Sequence, residues 1–417
     1  MLTNTYKPLI GGLEKSIETF TKEYRKRGHK TLIITPKIKD AQDEEGILRV
    51  PAIKNFAGTD YSLQLPVPSS LSDEVTAFEP DIVHSHHPFL IGDTALRLAA
   101  KYRTPITYTF HTLYNKYTEY MADNSEALAR FVTSLSIGYA NLCDLVFAPS
   151  QSARDFLLEK GLKTETEIIP TGIYTEKYKQ GKGDLFRRSL NIPKEAFVIG
   201  FVSRIAPEKN IMFLAKAVSE FMLKVKDAYF IIIGEGTARE DLKNKFKDKK
   251  VVFTGALDNE KLISAYSAMD IFVFASKTET QGLVITEAMA SGVPVVALEA
   301  PGVKEVVRNK INGMLIKKEN TKEFSEAIYS LFSLSPEEKS SMSDNCMNTA
   351  EKFSVENCVT KALSAYEALI RKGYRPLSDQ KKNDWDKLIR LSKTQWELMK
   401  NIMKASGVAT GIMPEHV

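Results

Sequence analysis

Short apolar runs alternate with stretches of helical periodicity along most of the 417-residue chain, and few architectures tolerate that pattern. Parallel strands need a crossover between them, so strand-helix alternation of this kind predicts βαβ units with helices covering both faces of a parallel sheet. In the first half the strand candidates are "TLIITP", "DIVHSH", "PITYTFHT", "LVFAPS" and "TEIIPTG", with helices between them over 92–102 and 125–141. In the second they are "FVIGFVSR", "AYFIIIGEG", "VVFTGAL", "DIFVFAS", "PVVAL" and "GMLI". Each set suits one doubly wound sheet, and the length exceeds what one core organises.

The polar, Lys-rich stretch "IYTEKYKQGKGDLFRRSLNIPKE" separates the two sets and reads as a linker with a short helix, which places a boundary near Gly181. The expected organisation is an α/β chain of two Rossmann-like domains, 1–180 and 181–353, followed by C-terminal helices over 354–417. Doubly wound sheets bind ligands beyond the carboxyl ends of their strands, so both domains are expected to offer loops to one cleft. The opening "MLTNTYKPLIGG" lacks a secretory apolar segment and also a full first strand, as though the start were trimmed.

Composition narrows the function classes. Hydrophobic residues make up 43% and charged residues 26%, ordinary for a soluble protein, and no apolar run approaches the ~20 residues of a membrane span. A net charge of +5 is too small to argue for nucleic acid. Cys143, Cys346 and Cys358 stand in no metal-ligand spacing and are expected to be reduced structural thiols of a cytoplasmic protein.

Two constellations carry chemistry. In "SKTETQGLVITEAMA", Glu279 falls in the loop after a strand and Glu287 in the helix that follows, whose first backbone N–H groups form an anion site. Carboxylates repel phosphate but accept sugar hydroxyls, so a sugar on either side of a pyrophosphate accounts for both. A favourable helix dipole accounts for them equally well without any ligand. In "SRIAPEKN", Arg204 and Lys209 follow another strand, where two cations suit a diphosphate leaving group; a solvated basic loop is the bland alternative.

Together with "IIIGEG" between them, these segments resemble the donor site of retaining GT-B glycosyltransferases of family 4. The resemblance runs over roughly 1–370, through "YKPLIGGLEKSI", "HSHHPFLIGDTALRLA" and "TFHTLY", and is strongest toward bacterial diacylglycerol glucosyltransferases and related lipid glycosyltransferases. It implies that Glu287 binds the ribose of a nucleotide sugar and that Glu279 contacts the transferred sugar. Gly282 and Leu283 would supply backbone N–H groups, and Arg204 and Lys209 would hold the diphosphate. Gly11 and Gly12 match glycines that admit phosphate and sugar close to the backbone, and Gly234 and Gly236 lie by the base pocket.

His111 matches the active-site histidine of that family; a lone histidine after a strand is otherwise more often structural. His84, His86 and His87 look like a metal cluster, but neighbouring residues of a strand point to opposite faces, so His84 and His86 are placed near the cleft floor and no metal is expected. No residue stands out as a covalent nucleophile of the kind retaining glycosidases use; what the resemblance implies is a metal-independent, front-face substitution in which the leaving diphosphate helps deprotonate the acceptor.

On the acceptor side, Lys22, Arg25, Lys26, Arg27, His29 and Lys30 crowd the end of one helix, more than a helix dipole needs. They suit anionic lipid headgroups. Tyr114, Tyr117 and Tyr120 suit the mouth of an acyl-chain path. In the tail, Trp385, Leu388, Ile389, Trp396, Met399, Ile402 and Met403 share one helical face, which suits either packing on the first domain or a membrane interface. The expectation is therefore transfer of a hexose, glucose from UDP-glucose, to a lipid such as diacylglycerol by a peripheral enzyme at the inner face of the cell membrane. The alternatives are a small soluble polyol or sugar as acceptor, and a non-catalytic sugar-nucleotide-binding protein.

Overall fold

The computed structural model describes residues 1–9, 11–38, 41, 44–53, 63–64, 69–114, 126–247, 250–372, 384–411 and 413, without side chains at 52–53, 63–64, 69–72 and 384–389. Tyr117 and Tyr120 lie outside these residues, and the Trp385, Leu388 and Ile389 side chains are among those not described. The chain forms two compact units: Met1–Thr171 with Cys358–Val417, and Gly172–Asn357. The first division falls earlier than Gly181. Ile173 bridges to Ser354, and Tyr178 joins the core of the second unit, so the polar linker already belongs to that unit.

The first unit is built on parallel strands: β1 (Ile33–Pro36), β2 (Ile47–Val50), a short antiparallel pair β3 (Ala52–Ile53) and β4 (Leu63–Gln64), then β5 (Val83–Ser85), β6 (Ile106–Thr109), β7 (Leu145–Ala148) and β8 (Thr166–Ile168). β1 pairs with β2, and β5 to β8 pair in chain order. The weak opening strand is one residue long in effect. Leu2 bridges both Ile34 and Ser85, donating to the His84 carbonyl at 2.8 Å and accepting from the His86 N–H at 2.9 Å, so it links β1 to β5.

In the second unit β9 (Phe197–Val202), β10 (Ala228–Ile233), β11 (Val251–Gly255), β12 (Ile271–Phe274), β13 (Val295–Leu298) and β14 (Gly313–Ile316) form one parallel sheet in the order β11-β10-β9-β12-β13-β14. Its central strands read as unbroken apolar runs because both faces are buried: Phe201, Phe230, Phe272 and Val273 are fully enclosed. The order reverses between β9 and β12. At such a switch point the crossovers leave in opposite directions and a crevice opens beyond the strand ends.

The C-terminal helix Asp384–Ala409 packs against helices Glu126–Ala140 and Ile91–Tyr102 of the first unit. Asn401 donates to the Leu135 carbonyl at 3.0 Å and Arg390 to that of Ala100 at 2.9 Å. The described residues of the apolar face read from sequence are not the packed ones. Trp396, Met399, Ile402 and Met403 are about half exposed, at 46–55%, while Leu398, Asn401, Ala405 and Val408 are buried. Close approach explains this: a Cβ on Gly138 would lie 1.7 Å from Asn401 Oδ1, so the contact uses small residues and one amide rather than the largest apolar side chains. Among the described residues no helix is long and apolar enough to cross a membrane.

Candidate donor and transfer site

β9 and β12 are neighbours in the sheet, so the loops at their carboxyl ends meet. The first carries Arg204 and, in the short 3-10 turn Pro207–Lys209, the second cation; the second carries Glu279. Lys209 Nζ lies 2.6 Å from Glu279 Oε1, with the two side chains only 15% and 18% exposed. Burial opposes ionisation of Glu279, but the Lys209 ammonium, the Ser276 hydroxyl and the Arg204 charge outweigh it and hold the carboxyl below its usual value. Arg204 reaches Glu208 Oε1 at 2.6 Å and remains half exposed. Each predicted cation therefore faces a carboxylate, Lys209 the predicted Glu279 and Arg204 the neighbouring Glu208.

Gly234 and Gly236 close the loop after β10. At Gly234, φ is +131° and a Cβ would stand 2.0 Å from the Ser203 carbonyl oxygen; at Gly236 it would stand 2.2 Å from that of Ile205. Backbone bonds from Ile205 N–H to Glu235 and from Ala238 N–H to Ile205 lock the two loops together. These glycines are thus required by the fold, because they hold the Arg204 segment in place.

Gly282, at φ +71°, caps the helix Leu283–Ala290, whose half-buried first residue is Leu283. Glu287 lies on this helix but is 2% exposed, and its Oε2 accepts from the Tyr266 hydroxyl at 2.9 Å. Burial, the Glu287 charge and a hydrogen bond to Glu287 hold the Tyr178 hydroxyl well above its usual pKa, and the Tyr266 hydroxyl is raised in the same way. The structure thus brings Arg204, Lys209 and Glu279 together, while it engages Glu287 with two tyrosines that the sequence did not single out. Glu208 was detectable as the i+4 partner of Arg204. The tyrosines sit on separate elements and leave no local signal.

In the first unit, Gly11 caps and Gly12 opens the helix Gly12–Lys26. Among the described residues a Cβ on Gly12 would meet nothing within 4 Å. His84 and His86 share one face, their rings stacked at 4.2 Å, and His87 turns away to accept from the Asn4 N–H at 3.1 Å. His84 is fixed by Thr109 at 2.7 Å and Tyr366 at 2.5 Å. His111, just past β6, lies with its Nε2 2.9 Å from His86 Nδ1. Burial pushes His84 and His86 well below the ordinary imidazole pKa, His87 to about 4 and His111 to about 3.

Of the basic cluster, Arg25 bonds the Thr31 hydroxyl at 2.6 Å, Lys26 pairs with Glu23 at 2.6 Å, and Arg27 reaches Thr360 at 3.0 Å. Lys22 and Lys30 are exposed. Local bonding thus explains part of the cluster without a partner. Tyr114 stacks edge-on with Phe89 at 5.0 Å.

Residues 10–177 match the domain family Glycosyltransferase Family 4, and residues 183–352 match Glycosyl transferases group 1. An α-monoglucosyldiacylglycerol synthase of Streptococcus pneumoniae is 31% identical over 76% of this chain and 74% of its own. The chain belongs to the group 1, family 4 glycosyltransferases of GT-B fold. This glycosyltransferase is also 28% identical, over 91% of its length and 98% of the relative, to the α-monoglucosyldiacylglycerol synthase of Acholeplasma laidlawii. Its fold matches Anabaena Alr3699/HepE, solved in complex with UDP-glucose, at a TM-score of 0.69 and 22% identity over 87% and 98% of the two chains.

Proposed function

We propose that this glycosyltransferase moves glucose from UDP-glucose to diacylglycerol with retention of configuration and without a metal ion. The observation that carries the reading is the meeting of Arg204, Lys209 and Glu279 at the β9/β12 switch point. An incoming diphosphate would share the two cations, and Glu279, relieved of part of its claim on Lys209, would accept hydroxyls of the sugar. Gly282 and Leu283 would face the phosphates with backbone N–H groups, Glu287 the ribose, and Gly234 and Gly236 the base. Gly11, Gly12 and His111 would serve the sugar from the first unit.

In the transfer step the C1–O bond to the diphosphate breaks and the acceptor oxygen bonds C1 on the same face. The acceptor proton passes to the departing diphosphate oxygen. Arg204 and Lys209 neutralise the charge that develops there, the task a divalent cation performs in other transferases. The names of the relatives support the lipid acceptor. So does the exposed Trp396, Met399 and Met403 face, a surface suited to the bilayer interface that would hold the enzyme peripherally at the inner face of the cell membrane.

Incubation with UDP-glucose and vesicles containing diacylglycerol should give α-glucosyldiacylglycerol, at the same rate in excess EDTA. Transfer only to a soluble polyol, a β-linked product, or loss of activity in EDTA would each overturn the corresponding part. A donor panel including GDP-mannose tests the base and the sugar. Absence of both transfer and donor hydrolysis with every donor would leave a sugar-nucleotide-binding protein instead.

A further inference from the structure

The proposed role of His111 leaves open which of its ring nitrogens carries hydrogen, and the first unit holds a device that decides this. His86 is 2% exposed, its Nδ1 is 2.9 Å from His111 Nε2, and the rings overlap at 5.2 Å with 29° between their planes. The other nitrogen, His86 Nε2, is buried with no hydrogen-bond partner among the described residues. It belongs to a residue lining a small cavity with His84, Thr109, His111, Ser16 and Thr171, whose water-accessible core of ≈ 10 Å³ is about the space of one water. In such a space a hydroxyl or a water would be the partner of His86 Nε2.

A single hydrogen bridges His86 and His111. Burial keeps both rings neutral at pH 7, so each has one N–H and one bare nitrogen. If His86 Nδ1 donated, both rings would be Nδ1–H tautomers. If His111 Nε2 donates, both are Nε2–H tautomers, the form that an unconstrained neutral histidine prefers. The second arrangement satisfies this preference twice and directs His86 Nε2–H at the cavity.

Resting on the proposed role of His111, we infer that His86 is a positioning residue: it accepts the His111 Nε2–H and so keeps His111 Nδ1 unprotonated, the form that can accept from a sugar hydroxyl. The stack behind it, His84 held by Thr109 and Tyr366, stops the His86 ring from turning. The arrangement needs no charge. It selects a hydroxyl donor over a carbonyl or phosphate oxygen at His111, which matches a sugar substrate.

The test uses the full chain with ¹⁵N-labelled histidine. Long-range ¹H–¹⁵N spectra, with His111→Asn identifying the His111 signals, should show Nε2 protonated and Nδ1 bare at pH 7.5; a protonated Nδ1 overturns the inference. Kinetics with UDP-glucose and diacylglycerol vesicles give the second readout. His86→Phe keeps an aromatic ring in the stack but loses the acceptor, and kcat should fall about 10- to 100-fold with KM for UDP-glucose little changed. His86→Asn, whose amide oxygen can stand where Nδ1 stood, should recover most of the loss. Full kcat in His86→Phe beside an inactive His111→Ala would sink the role of His86 and leave that of His111 intact. Full kcat in His111→Ala would instead remove the catalytic reading, while the spectra still decide the tautomer. Should His86→Phe fail to fold, the spectra of the unaltered protein decide alone.

Discussion

The two units prepare their sites in opposite ways. In the second, Lys209 with Glu279 and Arg204 with Glu208 set charge against charge at the ends of β9 and β12. In the first, four imidazoles are packed where burial strips them of charge, and hydrogen bonds to Thr109, Tyr366 and the Asn4 N–H fix their directions. One site can exchange an internal carboxylate for a ligand phosphate without leaving a bare charge. The other can only orient. On the proposed function, differential stabilisation of a departing diphosphate would fall to the second unit, and alignment of neutral hydroxyls to the first.

Acid should separate them most strongly. For each imidazole the folded pKa lies below the unfolded value of 6.5, so its share of stability is complete above that value and is lost as pH falls toward the folded pKa, about 4 for His87 and about 3 for His111. The slope is about 1.4 kcal/mol per pH unit for each ring that stays neutral only when folded. Glu279 is also depressed, but from 4.5, so its share is lost only below that value. Hydrogen exchange at pH 5 should show β5 and β6 opening more readily, relative to pH 7.5, with β9 and β12 little changed. Equal loss in both sheets would break the contrast.

Lys209→Met comes next. It leaves a largely buried carboxylate unpaired, which costs about 3 kcal/mol of stability. On the proposed mechanism it also removes a cation from the leaving group, so kcat should fall about 10²- to 10³-fold. Adding Glu279→Leu should restore the melting temperature without restoring transfer, since the buried charge is gone and the diphosphate still lacks its cation. Arg204→Ala, at a half-exposed position, should lower kcat with less effect on melting. Near-normal turnover in either single variant would end the assignment of the cations.

These contrasts were only partly legible in the sequence. The strands of the second unit are apolar runs, buried throughout at β12 and β13 and almost throughout at β9 and β10, and every one was found; β2 was missed because "ILRV" carries an arginine and stands among charges. Arg204, Lys209 and Glu279 could be placed at strand ends. Their pairing depends on β9 lying beside β12, and strand order is not written in local pattern. The tail shows a different limit. Helical periodicity located an apolar face but left open whether it packs or meets a membrane; Asn401 lies against Gly138, Ala405 is buried, and Trp396, Met399, Ile402 and Met403 face outward. Periodicity reports where side chains point along a helix, and the surface available to meet them lies elsewhere in the chain.

Tyr266→Phe should have a smaller effect. It removes one of two hydroxyls directed at Glu287, a hydrogen bond to a charged group worth about 1.5 kcal/mol. Because Tyr178 remains, the carboxylate keeps a partner. If Glu287 serves the ribose, KM for the nucleotide sugar should rise while kcat holds. A shift in kcat alone would detach Glu287 from donor binding and narrow the charged site to the β9 and β12 loops.

The smallest expected change in stability belongs to Trp396→Ser. The indole is 55% exposed on a helix whose opposite face is packed, so melting should shift by an amount equivalent to less than about 0.5 kcal/mol. Flotation with anionic, diacylglycerol-containing vesicles should nonetheless weaken about fivefold, near 1 kcal/mol, because apolar area that would enter the interface is lost. Lys22→Glu with Lys30→Glu should instead weaken flotation at low salt and much less at high salt, since exposed charges act through a screened field. If both changes leave flotation untouched, the first unit does not meet the lipid through the tail or the basic helix. Its acceptor would then have to arrive from solution, which brings back the soluble polyol.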